Sequence, residues 1–151
     1  MKPAPFPPGT LFLVPLEDGT WAPGLITHIG KPPIMFATFG ICSLSGEASA
    51  DEALRALRKA PRWRPFIGRL GFTMGGWKVL GTVKVPWFLR KLPYFVDVSN
   101  EPPHRVDPVT LAPTTLAPRV PRSKAVQAES CGHVYVTDYL FRILTERSGG
   151  R

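Results

Sequence analysis

Few side chains in this sequence are of the kinds that do chemistry, and their spacing limits what they can do. The three histidines, His28, His104 and His133, are scattered along the chain. The tightest group is Asp97, Glu101, His104 and Asp107, where an imidazole among carboxylates could act as general acid and base. The same residues also suit loop solvation and turn capping. Cys131-Gly132-His133 could offer two metal ligands, whereas a zinc site takes three or four protein groups. The glycines at 71, 75 and 76 are not followed by a Lys-Ser or Lys-Thr pair, nor by a predicted helix that would hold a phosphate. No serine sits in a Gly-x-Ser-x-Gly elbow. These patterns imply no cofactor and no metal, and point to a protein that binds rather than catalyses.

A second pattern interleaves rings with cations. Arg62-Trp63-Arg64 and Pro86-Trp87-Phe88-Leu89-Arg90-Lys91 combine groups that stack on bases and contact phosphates. The same groups are enriched as anchors of protein interfaces. The candidate partner-binding residues are therefore Arg55, Arg58, Lys59, Arg62, Arg64, Trp87, Arg90 and Lys91. Charge distribution supports the choice. The net charge is +8, yet residues 1–52 set two lysines against five carboxylates, and 97–151 set seven cations against six. Residues 53–96 hold ten basic side chains and no acidic one. A fold that gathers them on one face would present a positive field to an acidic protein or to nucleic acid.

The elements that must position these residues are short. Eighteen prolines in 151 residues, against a usual ~5%, favour strands and loops over long helices. Thr10 to Val14 and Trp21 to Ile29 flank the turn signal Glu17-Asp18-Gly19-Thr20 and read as a hairpin, with edges or bulges near Pro15 and Pro23. Ile34 to Phe39 is a third strand. Ser49 and Glu52 have capping-box spacing, and Ala50, Ala53, Leu54 and Leu57 make an apolar stripe, which predicts a helix over 49–60. Arg55, Arg58, Lys59 and Arg62 repeat that spacing five positions on, about 140° around the helix. Trp63 to Leu70 reads as a strand and Gly71 to Gly76 as a turn. In the strand from Trp77 to Val85, Trp77, Val79, Val83 and Val85 fall on one apolar face, and Gly81 allows a bulge. Phe95 to Val98 is a short strand. Residues 102–122, with six prolines, read as a long extended connection with at most one short edge strand. His133 to Val136 looks extended, with Thr137 capping a last helix to Arg147 that packs Leu140, Ile143 and Leu144 inward.

Two stretches resemble the immunity protein 26 family of bacterial polymorphic toxin systems. The first runs Gly9-Thr10-Leu11-Phe12-Leu13-Val14-Pro15-Leu16-Glu17-Asp18-Gly19-Thr20-Trp21-Ala22-Pro23-Gly24 and is similar to that family's opening hairpin. The second, Gly76-Trp77-Lys78-Val79-Leu80-Gly81, with Pro93-Tyr94-Phe95 after it, is similar to its central Trp-x-x-x-Gly strand. The resemblance implies a cytoplasmic antitoxin that binds a cognate toxin and blocks it. The matched residues are structural, so the resemblance carries no binding residue over. The basic helix and the proline-rich 102–122 segment have no counterpart in it. Part of that family carries a phosphotriesterase label, for which no metal-binding constellation stands in this sequence.

The sequence thus predicts a single α+β domain over 9–148, after a proline-rich lead-in at 1–8. Its sheet is curved and mostly antiparallel, or a partly open β-barrel, with helices at about 49–60 and 137–147 and a proline-rich loop at 102–122. The expected function is an immunity protein that occludes a toxin bearing an acidic surface. The alternative is a small β-barrel nucleic-acid-binding or reader module, since Asp18 to Gly24 also resembles Tudor-like barrels. A third reading is a phosphotriesterase-like hydrolase using His104 and its neighbouring carboxylates. No apolar run approaches the ~18 residues that span a bilayer, and Met1-Lys2-Pro3-Ala4-Pro5 lacks a signal peptide's apolar stretch. A cytoplasmic protein is expected, with Cys42 and Cys131 as ordinary thiols, no membrane contact and no small-molecule substrate.

Overall fold

The computed structural model describes residues 6–30, 34–91, 94–97, 104–106, 113–116, 125–127 and 130–149, and the side chains of 6–30, 34–91 and 132–146. The fold is α+β, as expected. Strands β1 (Thr10–Pro15) and β2 (Trp21–Ile29) form the predicted hairpin. At its tip Gly19 takes φ +84°, and the Asp18 carboxylate accepts from the Thr20 amide at 3.0 Å and hydroxyl at 2.6 Å. Those bonds hold the Asp18 pKa below its usual range. Strand β3 (Met35–Gly40) pairs antiparallel with β2, and the ladder stops at Gly24, one residue short of the donorless Pro23.

Helix α1 (Ala50–Lys59) begins as the capping box predicts, with the Ser49 hydroxyl accepting from the Glu52 amide at 3.2 Å. Pro61 follows its C-cap, Ala60. The stretch read as one strand from Trp63 breaks in two. Strands β4 (Arg62–Trp63) and β5 (Phe66–Ile67) both pair with β3, on either side of Pro65. The expected glycine turn is partly a short helix, α2 (Leu70–Thr73). Strand β6 (Lys78–Thr82) pairs with β1, and a 3-10 turn, η1, covers Trp87–Leu89.

Strands β7 (Tyr94–Asp97), β8 (His104–Val106), β9 (Pro113–Leu116) and β10 (Ala125–Gln127) form a second sheet in the order β10-β7-β8-β9. The expectation of at most one strand within 102–122 is corrected, because β8 and β9 pair antiparallel there. Pro113 is tolerated as the first residue of its strand, where a missing donor matters least. Strand β11 (Ser130–Cys131) pairs parallel with β5, and helix α3 spans His133–Gly149. The last helix therefore starts four residues before the expected 137. Val134 and Val136 look extended locally, but Val136 and Leu140, one turn apart, are both buried, and that packing overrides propensity. The Thr137 hydroxyl, read as a cap, instead donates back to the His133 carbonyl at 3.1 Å. Leu140 and Leu144 pack inward as predicted, joined by Phe141.

The main sheet runs β11-β5-β3-β2-β1-β6, with β4 beside β3, and it does not close into a barrel. Both of its faces are covered. Phe12, Val14, Ala22, Ile26, Ala37 and Phe39 pack with Trp77, Val136 and Leu140 on the α3 side. Leu11, Leu13 and Leu25 pack with Ala53, Leu57 and Leu89 on the α1 side. Burying a leucine such as Leu57 contributes about 1.5–3 kcal/mol. The single apolar face expected for Trp77 to Val85 is corrected. A bulge between Val79 and Gly81 adds one residue opposite Leu11 and Phe12 and reverses the alternation. Trp77 enters the α3-side core, Leu80, Val83 and Val85 enter the α1-side core, and Val79 is left 48% exposed.

Gly71 is what lets the Trp77 indole lie where it does. A Cβ at Gly71 would stand 2.3–2.5 Å from three atoms of that ring, whereas one at Gly68 would meet nothing within 4 Å. Gly71→Ala is expected to destabilise by about 1–3 kcal/mol, and Gly68→Ala to stay within about 0.5 kcal/mol. Urea unfolding of the two variants beside the parent measures both.

A candidate basic and aromatic interface

The α1-side layer gathers most of the predicted site. Arg55, Arg58 and Lys59 are exposed on α1, and Trp87, Arg90 and Lys91 are exposed on and after η1. Leu54 and Leu57 of α1 share one core with Phe88 and Leu89 of η1, so the two elements are neighbours. Arg62 joins them. Its guanidinium donates to the Leu57 and Arg58 carbonyls at 3.1 and 3.2 Å, and its Cζ lies 4.9 Å from the centre of the Phe88 ring. It closes the C-terminal end of α1, where carbonyls lack partners and the helix dipole is negative. Arg62 remains exposed at this seam, but its first role is structural.

Arg64 departs further from the prediction. Strand alternation sends Trp63 to the α3 side with Phe39 and Tyr139, and Arg64 to the other. There Nε donates to the Thr38 hydroxyl at 3.1 Å, and the two terminal nitrogens donate to the Lys91 and Leu89 carbonyls at 2.9 and 3.0 Å. Burial, with Arg62's charge adding, pulls its pKa down to about 10, so it stays charged at neutral pH. Arg64 is a half-buried clamp on residues 89–91, its guanidinium engaged by three acceptors.

The carbonyl between those two is held by a residue that the charge pattern missed. His28 Nε2 lies 2.8 Å from the Arg90 carbonyl and Nδ1 lies 2.9 Å from the Thr27 hydroxyl. A carbonyl only accepts, so Nε2 carries a proton. A bulge between Ile26 and His28 in the β2–β3 pairing turns His28 to the η1 side. Burial depresses its pKa below the ordinary 6.5, the Arg90 bond opposes this, and Arg64's charge adds to it. Arg90 Nε also folds back to the Val85 carbonyl at 3.2 Å. On this anchored segment Trp87 stands 76% exposed.

Comparison of the chain with family models, curated proteins and solved structures finds no match. The site must be judged on its own geometry. Among the described residues none of Arg55, Arg58, Lys59, Arg62, Arg90 and Lys91 forms an ion pair. An exposed indole on η1, with exposed cations on α1 and after η1 that have no ion pair among the described residues, suits an acidic, partly apolar surface. Of the other groups singled out in the sequence, Asp97 and His104 are backbone partners across β7 and β8, with side chains outside those described. Glu101 and Asp107 lie wholly outside the described residues. Cys42 is a free, half-buried thiol whose pKa burial raises, and the Cys131 side chain is outside those described. Among the described residues no three His, Cys, Asp or Glu side chains gather as metal ligands, and no helix is long and apolar enough to cross a membrane.

The clamp generates two expectations. Arg64→Ala leaves the Leu89 and Lys91 carbonyls without their donor and should cost about 1–3 kcal/mol. Arg64→Lys should recover less than half of that, because one ammonium cannot reproduce the guanidinium fork. Urea unfolding gives the cost, and faster trypsin cleavage after Arg90 and Lys91 in both variants reports release of the segment. The His28 effect has a definite sign. With the folded pKa below the unfolded 6.5, the unfolded chain binds the proton more readily. The stabilisation is full above pH 6.5 and is lost as pH falls through the folded value. Thermal unfolding between pH 7.5 and 5 should show that loss in the parent and a flatter profile in His28→Gln.

Proposed function

We propose that this chain is a cytoplasmic immunity protein that captures a cognate toxin through the α1–η1 face and neutralises it by stoichiometric occlusion. The observation that carries the reading is Trp87, 76% exposed on a segment whose carbonyls at 89, 90 and 91 are each tied down by Arg64 or His28. A pre-ordered aromatic anchor loses little freedom on binding, and the surrounding cations steer an acidic partner towards it. The resemblance of residues 9–24 and 76–81 to the immunity protein 26 family agrees with this assignment. The reader alternative expects a barrel, whereas the main sheet is open. Nucleic acid would meet the same cations, so it forms the other arm of the test.

The experiment is a tagged pull-down from nuclease-treated native lysate, washed at high salt, with the partner then expressed alone. The expected result is one stoichiometric protein that arrests bacterial growth by itself and is relieved by this chain. Trp87→Ala should weaken that complex by about 2 kcal/mol or more, roughly thirtyfold. Arg55, Arg58 and Lys59 changed together to Glu should slow association and flatten its salt dependence. Arg62 and Arg64 are left alone, because their loss would confuse binding with folding. Binding unchanged by both variants overturns the surface. Recovery of nucleic acid alone, when the nuclease is omitted, overturns the function.

A further inference from the structure

The opposite side of the sheet carries a cleft of different chemistry. A cleft of about 430 Å³ is lined by Glu17 of the β1–β2 turn and by Tyr135, Asp138, Tyr139, Phe141 and Arg142 of α3. Its size lies within the range of binding pockets for small groups. The aromatic wall is built on the core. The Trp63 ring packs 4.2 Å from Tyr139, and the Tyr135 and Tyr139 rings stack at 6.1 Å and 19°. Tyr135, 48% exposed, is one helical turn before Tyr139, which places both rings on one flank of α3. Two carboxylates, Glu17 and Asp138, line the same space against one cation.

That cation shows what the wall accepts. The Arg142 guanidinium lies 5.6 Å from the Tyr139 ring centre, within the range of a cation–π contact. The ring thus already carries one guanidinium, with which an incoming cation would compete. In a chain of net charge +8, general attraction cannot bring a cation here. The local pairing of carboxylates with aromatic faces can. We propose that this cleft binds an arginine or lysine side chain of a polypeptide partner, seated on the tyrosines and paired with Glu17 and Asp138. The site is independent of the toxin-binding reading, because α1 and η1 lie across the sheet from α3.

The test titrates the ¹⁵N-labelled full chain with the capped peptide Gly-Ser-Arg-Ser-Gly, following the Trp63 indole signal assigned with Trp63→Phe. The expected result is saturable millimolar binding, weakened about tenfold when citrulline replaces the arginine. Glu17→Gln with Asp138→Asn, both exposed positions, should weaken it by about fivefold or more. Arg142→Gln should tighten it severalfold, by removing the competing guanidinium. Thermal unfolding confirms that each variant is folded. Equal response to arginine and citrulline, or a double carboxylate variant that binds as the parent does, overturns the proposal. Either result leaves the toxin-binding reading untouched, since that rests on Trp87 and its cations.

Discussion

Strand β1 has no free side, and the rest of the architecture answers to that. Every residue from Thr10 to Val14 is buried, so side chains of both parities need cover. Leu11 and Leu13 are met by α1 and Leu89, while Phe12 and Val14 are met by Trp77 and α3. A strand buried on both faces reads as a continuous apolar run instead of an alternating one. Once the sheet has two covered faces, the parity of each neighbouring residue decides which layer it belongs to. The bulges at Thr27 and Leu80 change that parity. One turns His28 towards η1, and the other divides Trp77 from Val83 and Val85.

Arg64 ties the sheet to the segment that carries Trp87. A guanidinium held away from water is costly, and its lowered pKa records that cost. Its three hydrogen bonds, to Thr38, Leu89 and Lys91, offset the loss of water. A lysine's three donors radiate from one nitrogen and could not span acceptors that three separate guanidinium nitrogens reach here. With His28 on Arg90, three successive carbonyls at the end of η1 acquire donors. The segment that carries Trp87 is anchored by these bonds, and the indole itself meets the Phe88 ring edge-on at 5.9 Å.

The local elements were largely legible from the residues themselves. Asp18-Gly19 specified the hairpin, Ser49 with Glu52 specified the start of α1, and Pro61 its end. Each of those signals acts within four residues, where sequence patterns are strongest. What failed was long-range. Nothing near Val134 and Val136 announces that Val136 will be buried with Leu140 against the sheet, so a helix start looked like a strand. The pairing of β8 with β9 was hidden under prolines that lie mostly outside the strands. For the site, the segment with ten cations is visible in the sequence, but charge alone does not sort its members between the two layers. Applied to Arg62-Trp63-Arg64, period-2 alternation separates the indole from both arginines, and it could have predicted that Arg64 and Trp63 serve different layers. His28 carried no signal, since its role depends on a bulge and a partner 62 positions away.

The separation has an electrostatic consequence. At physiological salt a charge is screened beyond about 8 Å, so a distant net charge tells a ligand little once it is close. The α1–η1 face has six cations without ion pairs among the described residues, so on the proposed reading it would attract an acidic partner over about one screening length and depend on salt. The α3 cleft holds two carboxylates and one guanidinium on a molecule that repels cations overall. It can act only at contact, through ring faces and direct pairs. On the two proposed readings, the first surface would select a partner by its acidic character over an area, and the second by one side chain. These are different kinds of specificity, set on opposite faces of one sheet.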